Sequence, residues 1–185
     1  MHIRTGQYEI EIINDQTYTP GSVDNVRQYS KEYMLVNHHE YASKHGIICK
    51  VSDSLPSSCI LFAGGGTTII HEYSAIVLDD FLYIAVGDRL CCLCLPSLDL
   101  RWSPKVDLAT CFGVYYSPEN RCLISHGECD IARINLEGKI EWSVSGKDIF
   151  TEGFSLFPDH IEVIDFNHEI YWIEIASGEI SLINI

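Results

Sequence analysis

Basic residues, helix-forming patterns and long apolar runs are all scarce in this 185-residue sequence. Lysine and arginine total 12 against 26 aspartates and glutamates, so the formal net charge is −14 at pH 7. This composition argues against nucleic acid and anionic membranes as partners, because both attract basic surfaces. No apolar run reaches the length of a membrane span, and residues 1–6 lack the apolar core of a secretory signal. We therefore expect a cytoplasmic protein that binds neither nucleic acid nor membrane.

Recognisable catalytic, cofactor and metal motifs are also missing. Cys122, His126 and Cys129 lie within eight residues, but a zinc site takes four ligands, usually as two close pairs. No Lys-Ser or Lys-Thr follows the glycines at 64–66, so they do not form a phosphate loop. The eight cysteines fall in or beside expected strands, where reduced thiols pack as small apolar groups. We expect no catalytic residue, no metal and no cofactor.

What the sequence does contain is a repeat of 40 residues. The first column of this repeat consists of Ile60, Leu100, Ile140 and Ile180. A second column consists of Phe62, Trp102, Trp142 and Leu182, and a third of Gly87, Gly127 and Asn167. Glycine and asparagine tolerate the left-handed conformation of tight hairpin turns, and the tryptophans occupy equivalent packing positions. A period of 40 to 45 residues is typical of propeller blades with four strands each.

The expected fold is therefore all-β: a small β-propeller of about four four-stranded antiparallel blades in one domain, residues 1–185. The last three blades are expected at 67–105, 106–146 and 147–185, because alternating apolar patterns are separated there by turns of two to four residues. Residues 1–66 are expected to form an N-terminal strand and a divergent first blade. Runs such as residues 170–173 are apolar on both faces, as expected for strands covered by sheets on both sides.

The first blade keeps the repeat poorly. Residues 32–37, 47–52 and 59–63 fit its second to fourth strands, with a weak first strand near 23–29. Residues 8–14 alternate well and form a further strand that either adds to the last blade or completes the first. Closure of the array matters because open sheet edges aggregate. We expect a monomeric ring, with a homodimer that forms a larger ring from two half-rings as the alternative.

The segment Asp130–Trp142 resembles the repeat of the quinoprotein-like (PQQ-like) β-propellers, a WD-like blade repeat. The matching residues are Gly138, Lys139 and Trp142; Gly178 and Glu179 match in part, with Leu182 in the tryptophan position. The resemblance covers about residues 74–185 and implies blades of the propeller type. The quinone enzymes of that family are much longer, so we carry over neither quinone binding nor dehydrogenase activity.

An irregular loop on a regular scaffold is a place where binding residues are often found. The loop between the second and third strands of the first blade carries His38, His39, Glu40, Tyr41 and His45, which form a possible interaction loop. Without catalytic motifs and with a strongly acidic chain, the sequence favours a non-enzymatic module that binds a protein partner, possibly a basic one. An immunity or inhibitor protein is a specific form of this hypothesis. The alternatives are a ligand-binding or hydrolytic propeller with a central pocket, and half of a larger dimeric propeller.

Overall fold

A computed structural model describes residues 1–37, 41–52 and 54–183, and these form four β-sheets with no helix among them. The first sheet contains β1 (His2–Thr5), β2 (Tyr8–Asn14), β3 (Lys31–Met34), β4 (Ser43–Val51) and β5 (Ser57–Ala63). The second contains β6 (Ala75–Leu78), β7 (Phe81–Val86), β8 (Arg89–Cys94) and β9 (Asp99–Trp102). The third contains β10 (Cys111–Ser117), β11 (Cys122–Gly127), β12 (Asp130–Ile134) and β13 (Ile140–Ser145). The fourth contains β14 (Gly153–Leu156), β15 (His160–Ile164), β16 (Ile170–Glu174) and β17 (Ile180–Ile183).

The second, third and fourth sheets are four-stranded antiparallel meanders in chain order, as the repeat predicted. Short links force neighbouring strands to run antiparallel. Several of these links need a residue with positive φ, and the chain supplies Asp79 at 50°, Arg121 at 48° and His168 at 63°. The last strand of each sheet alternates between half-buried and exposed residues, which identifies it as the outer edge of the blade.

The first sheet departs from the expected order of strands. Its order is β1-β2-β4-β5-β3, so residues 8–14 complete this sheet instead of adding to the last one. The segment expected to be its second strand forms β3, which pairs in parallel with β5 at the outer edge. Residues 23–29, expected as a weak first strand, form turns and bends. The four strands β1, β2, β4 and β5 alone reproduce the antiparallel blade.

Consecutive sheets pack face to face, and each junction has its own apolar cluster. We call the face that a sheet turns toward the next sheet its forward face, and the opposite one its back face. Ile10 and Leu61 of the first sheet meet Leu82 and Leu93 of the second. Separate clusters join the second sheet to the third and the third sheet to the fourth. Alternation along the strands supplies side chains to both faces, which is why both sides of the middle sheets are apolar.

A one-residue bulge decides which way the second repeat column faces. In β9 the residue Arg101 is extra, so Leu100 faces back while Trp102 faces forward. Glu141 has the same position in β13, where Ile140 faces back and Trp142 forward. Strand β17 pairs with β16 without any register shift. Ile180 and Leu182 therefore lie on the same back face, and Leu182 is not equivalent to the tryptophans in direction.

The four sheets form an open array. Among the described residues, no hydrogen bond, ion pair or shared apolar cluster joins the first sheet to the fourth, so the monomeric ring expected from the sequence is not closed by such contacts. The back face of the first sheet is covered by the segment between β2 and β4. Tyr18, Tyr29 and Tyr41 of that segment pack with Ile60 and Phe62 of β5. The forward face of the fourth sheet is the end of the array that no described sheet covers.

Candidate partner-binding surface

The forward face of the fourth sheet has an acidic and aromatic half. Ile161 and Tyr171 point back into the apolar junction, so the alternate residues His160, Glu162, Trp172 and Glu174 point forward. Pairing across the two central strands sets His160 opposite Glu174 and Glu162 opposite Trp172. All four side chains are half-buried, because they lie on a sheet surface without a further sheet above them.

Aromatic stacking orders this half of the face. The His160 ring stacks on Phe157 with ring centroids 4.5 Å apart and on Trp172 with centroids 5.3 Å apart. His160 Nδ1 lies 2.7 Å from Asp159 Oδ1, and its Nε2 lies 3.7 Å from Glu162 Oε1. The hydrogen bond with His160 lowers the pKa of the exposed Asp159 carboxyl. The result is an ordered aromatic surface with carboxylates at its margins.

The other half of the face is aliphatic. Ile164 lies opposite Ile170, and Ile170 lies opposite Ile183 on the outer strand, so three isoleucines follow one another across the sheet. Ile164 and Ile170 are half-buried and Ile183 is 37% exposed. Contiguous apolar groups on a surface commonly mark interaction sites, whereas single ones are ordinary. A row of three β-branched side chains beside an aromatic stack is a contiguous patch of this kind.

The negative charge of the chain is concentrated around this sheet. Between residues 147 and 183 there are eight acidic residues and one lysine, whereas the whole chain has 26 acidic and 12 basic residues. The lysine, Lys147, is bound to Glu169 at 3.1 Å. Among the described residues, no lysine or arginine forms an ion pair with Glu162 or Glu174. The face therefore presents carboxylates that a cation from another molecule could reach.

Hydrogen bonds from the links between sheets hold successive sheets together. In each link between sheets, one side chain accepts hydrogen bonds from the turn between the second and third strands of the following sheet. Thr68 accepts from Gly87 N at 3.2 Å, and Asp148 accepts from the Asn167 side chain at 2.8 Å. The buried Asp107 accepts from four backbone N–H groups, those of Ala109, Thr110, Cys129 and Asp130, at 2.6 to 2.9 Å. Burial raises the pKa of Asp107, and these four hydrogen bonds oppose the shift.

The possible interaction loop is only partly described, because His38, His39 and Glu40 lie outside the described residues. Tyr41 packs on Phe62 with ring centroids 5.2 Å apart. His45 belongs to strand β4 and is fully buried, which corrects its expected place in a loop. Its Nε2 lies 3.1 Å from Thr68 Oγ1, and burial lowers its pKa to about 4. His45 thus belongs to the interior of the junction between the first and second sheets.

The third repeat column lies at the turns, but its members are there for different reasons. Gly87 has φ of +54°, the left-handed conformation that the sequence led us to expect. Gly127 has no positive φ; a Cβ there would come within 2.1 Å of Asp107 Oδ2, so the close approach of that carboxylate requires glycine. In the fourth sheet the positive φ belongs to His168, next to Asn167. The second column, including Phe62, lies in the last strand of each sheet along the chain: β5, β9, β13 and β17.

The cysteine and histidine residues do not assemble into a metal site among the described residues, where no group of three or more His, Cys, Asp or Glu side chains has suitable geometry. His126 stacks on Phe154 at 4.8 Å, its Nε2 lies 3.1 Å from the Phe150 carbonyl, and burial lowers its pKa to about 4. All eight cysteines are free. Burial raises the pKa of the Cys122 and Cys129 thiols, which disfavours the thiolate that a metal would bind.

The inner edge of the array, where a central pocket would lie, is aromatic. Tyr73, just before β6, stacks on Tyr115 of β10 at 5.1 Å, and Tyr115 stacks on Phe154 of β14 at 4.3 Å. Two clefts among the described residues lie elsewhere. One of about 460 Å³ is lined by Arg4, Tyr8 and Lys50, and another of about 500 Å³ by Gln7, Asp79 and Asp80.

No site on the forward face of the fourth sheet was expected from the sequence. The run 170–173 was expected between two sheets, and the structure covers only its back face. Two signals could have identified this. Glu162 and Glu174 interrupt the apolar pattern at forward-facing positions, whereas the corresponding central strands of the second sheet, Phe81–Val86 and Arg89–Cys94, carry no carboxylate. Trp172 also lies outside the repeat column that holds Trp102 and Trp142.

The fold resembles propellers of known structure. A structure of RRP9 WD40 repeats is 12% identical with a TM-score of 0.49, over 63% of this chain and 39% of that one. The U3-55K structure is 13% identical with a TM-score of 0.48, over 63% and 40%. A europium-containing methanol dehydrogenase is 15% identical with a TM-score of 0.46, over 59% and 24%. The chain thus spans less than half the length of each, and the likeness concerns architecture alone.

No protein-family model and no curated protein matches the sequence. Among the described residues, no helix of the length and apolarity needed to cross a membrane occurs. The sheets themselves determine the architecture: antiparallel blades stack face to face through three apolar junctions. The chain is an all-β array of propeller-type blades with an irregular first blade, as the quinoprotein-like and WD-like resemblance implied.

Proposed function

We propose that this chain is a non-enzymatic binding module for a basic protein, with the fourth sheet as the site of binding. The observation that carries the proposal is the uncovered forward face of that sheet, where an aromatic stack and three isoleucines lie beside Glu162 and Glu174, which pair with no lysine or arginine of the described residues. Apolar contact supplies affinity and complementary charge supplies orientation and rate of encounter. We further propose that the four sheets act as one domain, and that the protein works in the cytoplasm, in keeping with its eight free cysteines.

The arrangement of the inner edge favours this function over a catalytic one. A hydrolytic propeller would bring carboxylates and histidines together at the axis. The inner edge instead carries Tyr73, Tyr115 and Phe154 stacked on one another. His126 is hydrogen-bonded to a carbonyl and held neutral by burial near neutral pH, so it is poorly suited to exchange protons there.

The half-ring alternative requires both ends of the array to be free. In a two-fold ring, the forward face of the fourth sheet of each copy would meet the back face of the first sheet of the other. That back face is occupied by the chain's own Tyr18, Tyr29 and Tyr41. The covered first sheet and the uncovered fourth sheet favour a different protein at the free end.

An immunity or inhibitor protein is the form of this function that best suits a small acidic chain without chemistry of its own. Such a protein would bind a basic toxin or enzyme and block the surface that the target uses. The acidic surface would speed the encounter with the target, and the apolar face would slow dissociation. The products of neighbouring genes are the first candidates for the target.

The test is reconstitution with purified proteins. The tagged chain is isolated from its native cells at low salt, and each co-purifying protein, together with the products of neighbouring genes, is purified separately. Binding is then measured by calorimetry at about 50 and 500 mM NaCl. We expect a partner with a net positive charge, whose affinity falls as salt screens the charges. If no purified candidate binds at either salt concentration, or if the one that binds is acidic, the proposal is wrong.

A further inference from the structure

We infer, on the basis of the proposed function, that the partner docks a β-sheet on the fourth sheet and inserts an arginine over Trp172 between Glu162 and Glu174. The forward faces of the first, second and third sheets are each covered by the next sheet. The uncovered face is the forward face of the next sheet in this series of stacked sheets. A sheet of the partner would therefore cover it in the way that the following blade covers the others.

The acidic half of the face has the chemistry of an arginine site. Trp172 lies directly opposite Glu162, and Glu174 lies two residues along the same strand and on the same face. A guanidinium stacks on an indole ring and donates hydrogen bonds to carboxylates in the same plane. His160 supports the Trp172 ring from one side at a centroid distance of 5.3 Å, so the indole is already oriented before a partner arrives.

The aliphatic half of the face determines which partner side chains would lie beside the arginine. Ile164, Ile170 and Ile183 form a row next to the arginine site. Side chains on one face of a strand recur every second residue. The docking strand of the partner is thus expected to alternate, with arginine at one position and aliphatic residues two or more positions along. This pattern is what distinguishes a docked sheet from a flexible basic tail.

A second copy of this chain fits the face less well. Four strands of about five residues give a flat patch of roughly 320 Å², below the ~800 Å² per partner of a standard interface, so any partner must also contact residues around the sheet. Two identical copies would also bring Glu162 and Glu174 of each into a surface that carries no lysine or arginine. A basic partner avoids this repulsion and can extend contact to the acidic residues around the sheet.

Photo-crosslinking in living native cells tests where the partner docks. The photoreactive residue p-benzoylphenylalanine replaces Ser181, which lies next to Trp172 on the forward face, or Ser143 in the third sheet as the control. We expect Ser181 to give an adduct with a basic protein, at alternate residues of one of its strands, and Ser143 to give none. An adduct with a second copy of the chain, or adducts from Ser143 alone, would overturn the inference.

Two pairs of variants then test the chemistry with the purified crosslinked partner. Glu162→Lys and Glu137→Lys change the net charge equally, but Glu137 lies in a turn of the third sheet. We expect affinity to fall at least about tenfold for Glu162→Lys and within about twofold for Glu137→Lys. Trp172→Ala should cost about tenfold, whereas Phe166→Ala, an exposed aromatic off the face, should cost less than about twofold.

Thermal unfolding and circular dichroism of all four variants verify that each is folded. Equal losses within each pair, for folded variants, would contradict docking on the forward face. A partner that binds with the expected salt dependence but crosslinks elsewhere would disprove this inference and leave the proposed function intact. Absence of any partner would disprove both.

Discussion

At the scale of single residues, a glycine in one sheet accommodates a tryptophan of the sheet before it. A Cβ on Gly138 would lie 2.5 Å from the ring of Trp102, and one on Gly178 would lie 2.8 Å from that of Trp142. The indole N–H groups of these tryptophans also donate to carbonyls of the following sheet, those of Leu136 and Ile175. The Gly-Lys turn of the repeat thus serves the junction between blades as well as the turn itself.

Gly138→Ala should therefore destabilise the protein more than Gly6→Ala. Both glycines lie in turns with positive φ, 86° and 54°, but nothing lies within 4 Å of a Cβ at Gly6. The left-handed backbone alone costs a non-glycine residue about 1 kcal/mol, and displacement of Trp102 should add about 2 kcal/mol. Urea unfolding of the two variants measures the difference. Equal losses would show that Trp102 moves aside without cost.

Two histidines should make the stability depend on pH. Burial lowers the pKa of His45 and of His126 to about 4, from a usual value of 6.5. Below pH 6.5 the unfolded chain takes up protons that the folded chain refuses, so stability is lost as the pH falls from about 6.5 toward 4. The fully buried His45 should account for about 3 kcal/mol of this loss at pH 4.

The measurement is the urea midpoint of the protein and of His45→Asn between pH 7.5 and 4.5. The variant should lose less stability with falling pH, since one of the two histidines is gone. Ser43→Ala is a matched control, because it removes a hydroxyl that accepts two hydrogen bonds from Thr68 and donates one to the Gly66 carbonyl, without removing a titrating group. It should lower the midpoint by a similar amount at every pH. An unchanged slope in His45→Asn would contradict the role of that residue.

At the scale of elements, strand β3 clamps the first sheet to the second. Lys31 Nζ donates to the Ser97 carbonyl at 2.6 Å and to Asp99 at 2.7 Å. The hydroxyl of Tyr33 donates to the Leu98 carbonyl at 3.0 Å and accepts from the Leu100 amide at 3.3 Å. In the other junctions, a tryptophan from the outer strand reaches the same turn of the following sheet. The parallel strand thus takes the place of the tryptophan that the first sheet lacks.

Tyr33→Phe should lower the free energy of unfolding by about 1–2 kcal/mol, since it removes two hydrogen bonds across this junction. It should also speed hydrogen exchange at the Leu100 amide, which loses its acceptor. Tyr116→Phe is the control, because the Tyr116 hydroxyl makes no hydrogen bond to the described residues. Its effect should stay below about 0.5 kcal/mol. A Tyr33→Phe variant with unaltered exchange at Leu100 would disprove the clamp.

The same elements show what the sequence can and cannot predict. Regular strands such as β7 and β11 follow from short apolar runs bounded by turn residues, which are local signals. The parallel pairing of β3 with β5 leaves no local signal, because it depends on contacts between distant residues. The direction of Leu182 depends on whether the preceding residue forms a bulge. A repeat of 40 residues in the sequence is the same with or without that bulge. The sequence suggested a site in the irregular first blade, while the run 170–173, which contains Trp172, was expected to be covered on both faces.

At the scale of the whole molecule, the sheets are supported unequally. The second and third sheets have a neighbour on each face, the first has the second sheet and its tyrosine cover, and the fourth has a single junction. In linear arrays each unit is stabilised by its nearest neighbours. Local opening therefore needs less free energy at the fourth sheet than in the middle of the array.

Native-state hydrogen exchange should reveal this order. Amides of β15 and β16 are expected to open with a free energy below that of β7, β8 and β11, and the docked partner should slow them. Phe166→Ala, off the forward face, gives a control in which the order of the sheets stays the same. Exchange of all four sheets through a single global opening would show that the array unfolds as one unit.

The one-residue bulge in β9 and β13 also has a meaning for engineering. The bulge sets the face on which the outer strand places its aromatic side chain, and the next sheet packs on that side chain. The number of sheets in the array can therefore be changed by editing the sequence of the last outer strand. One residue inserted between Ile180 and Ser181 as a bulge, together with Ser181→Trp, would give the fourth sheet the forward-facing indole that its predecessors have. A copy of the third sheet, added after the fourth sheet and bearing Gly138 in its turn, would then accommodate that indole. The acidic face would be covered by a further blade of the same chain and no longer by a partner.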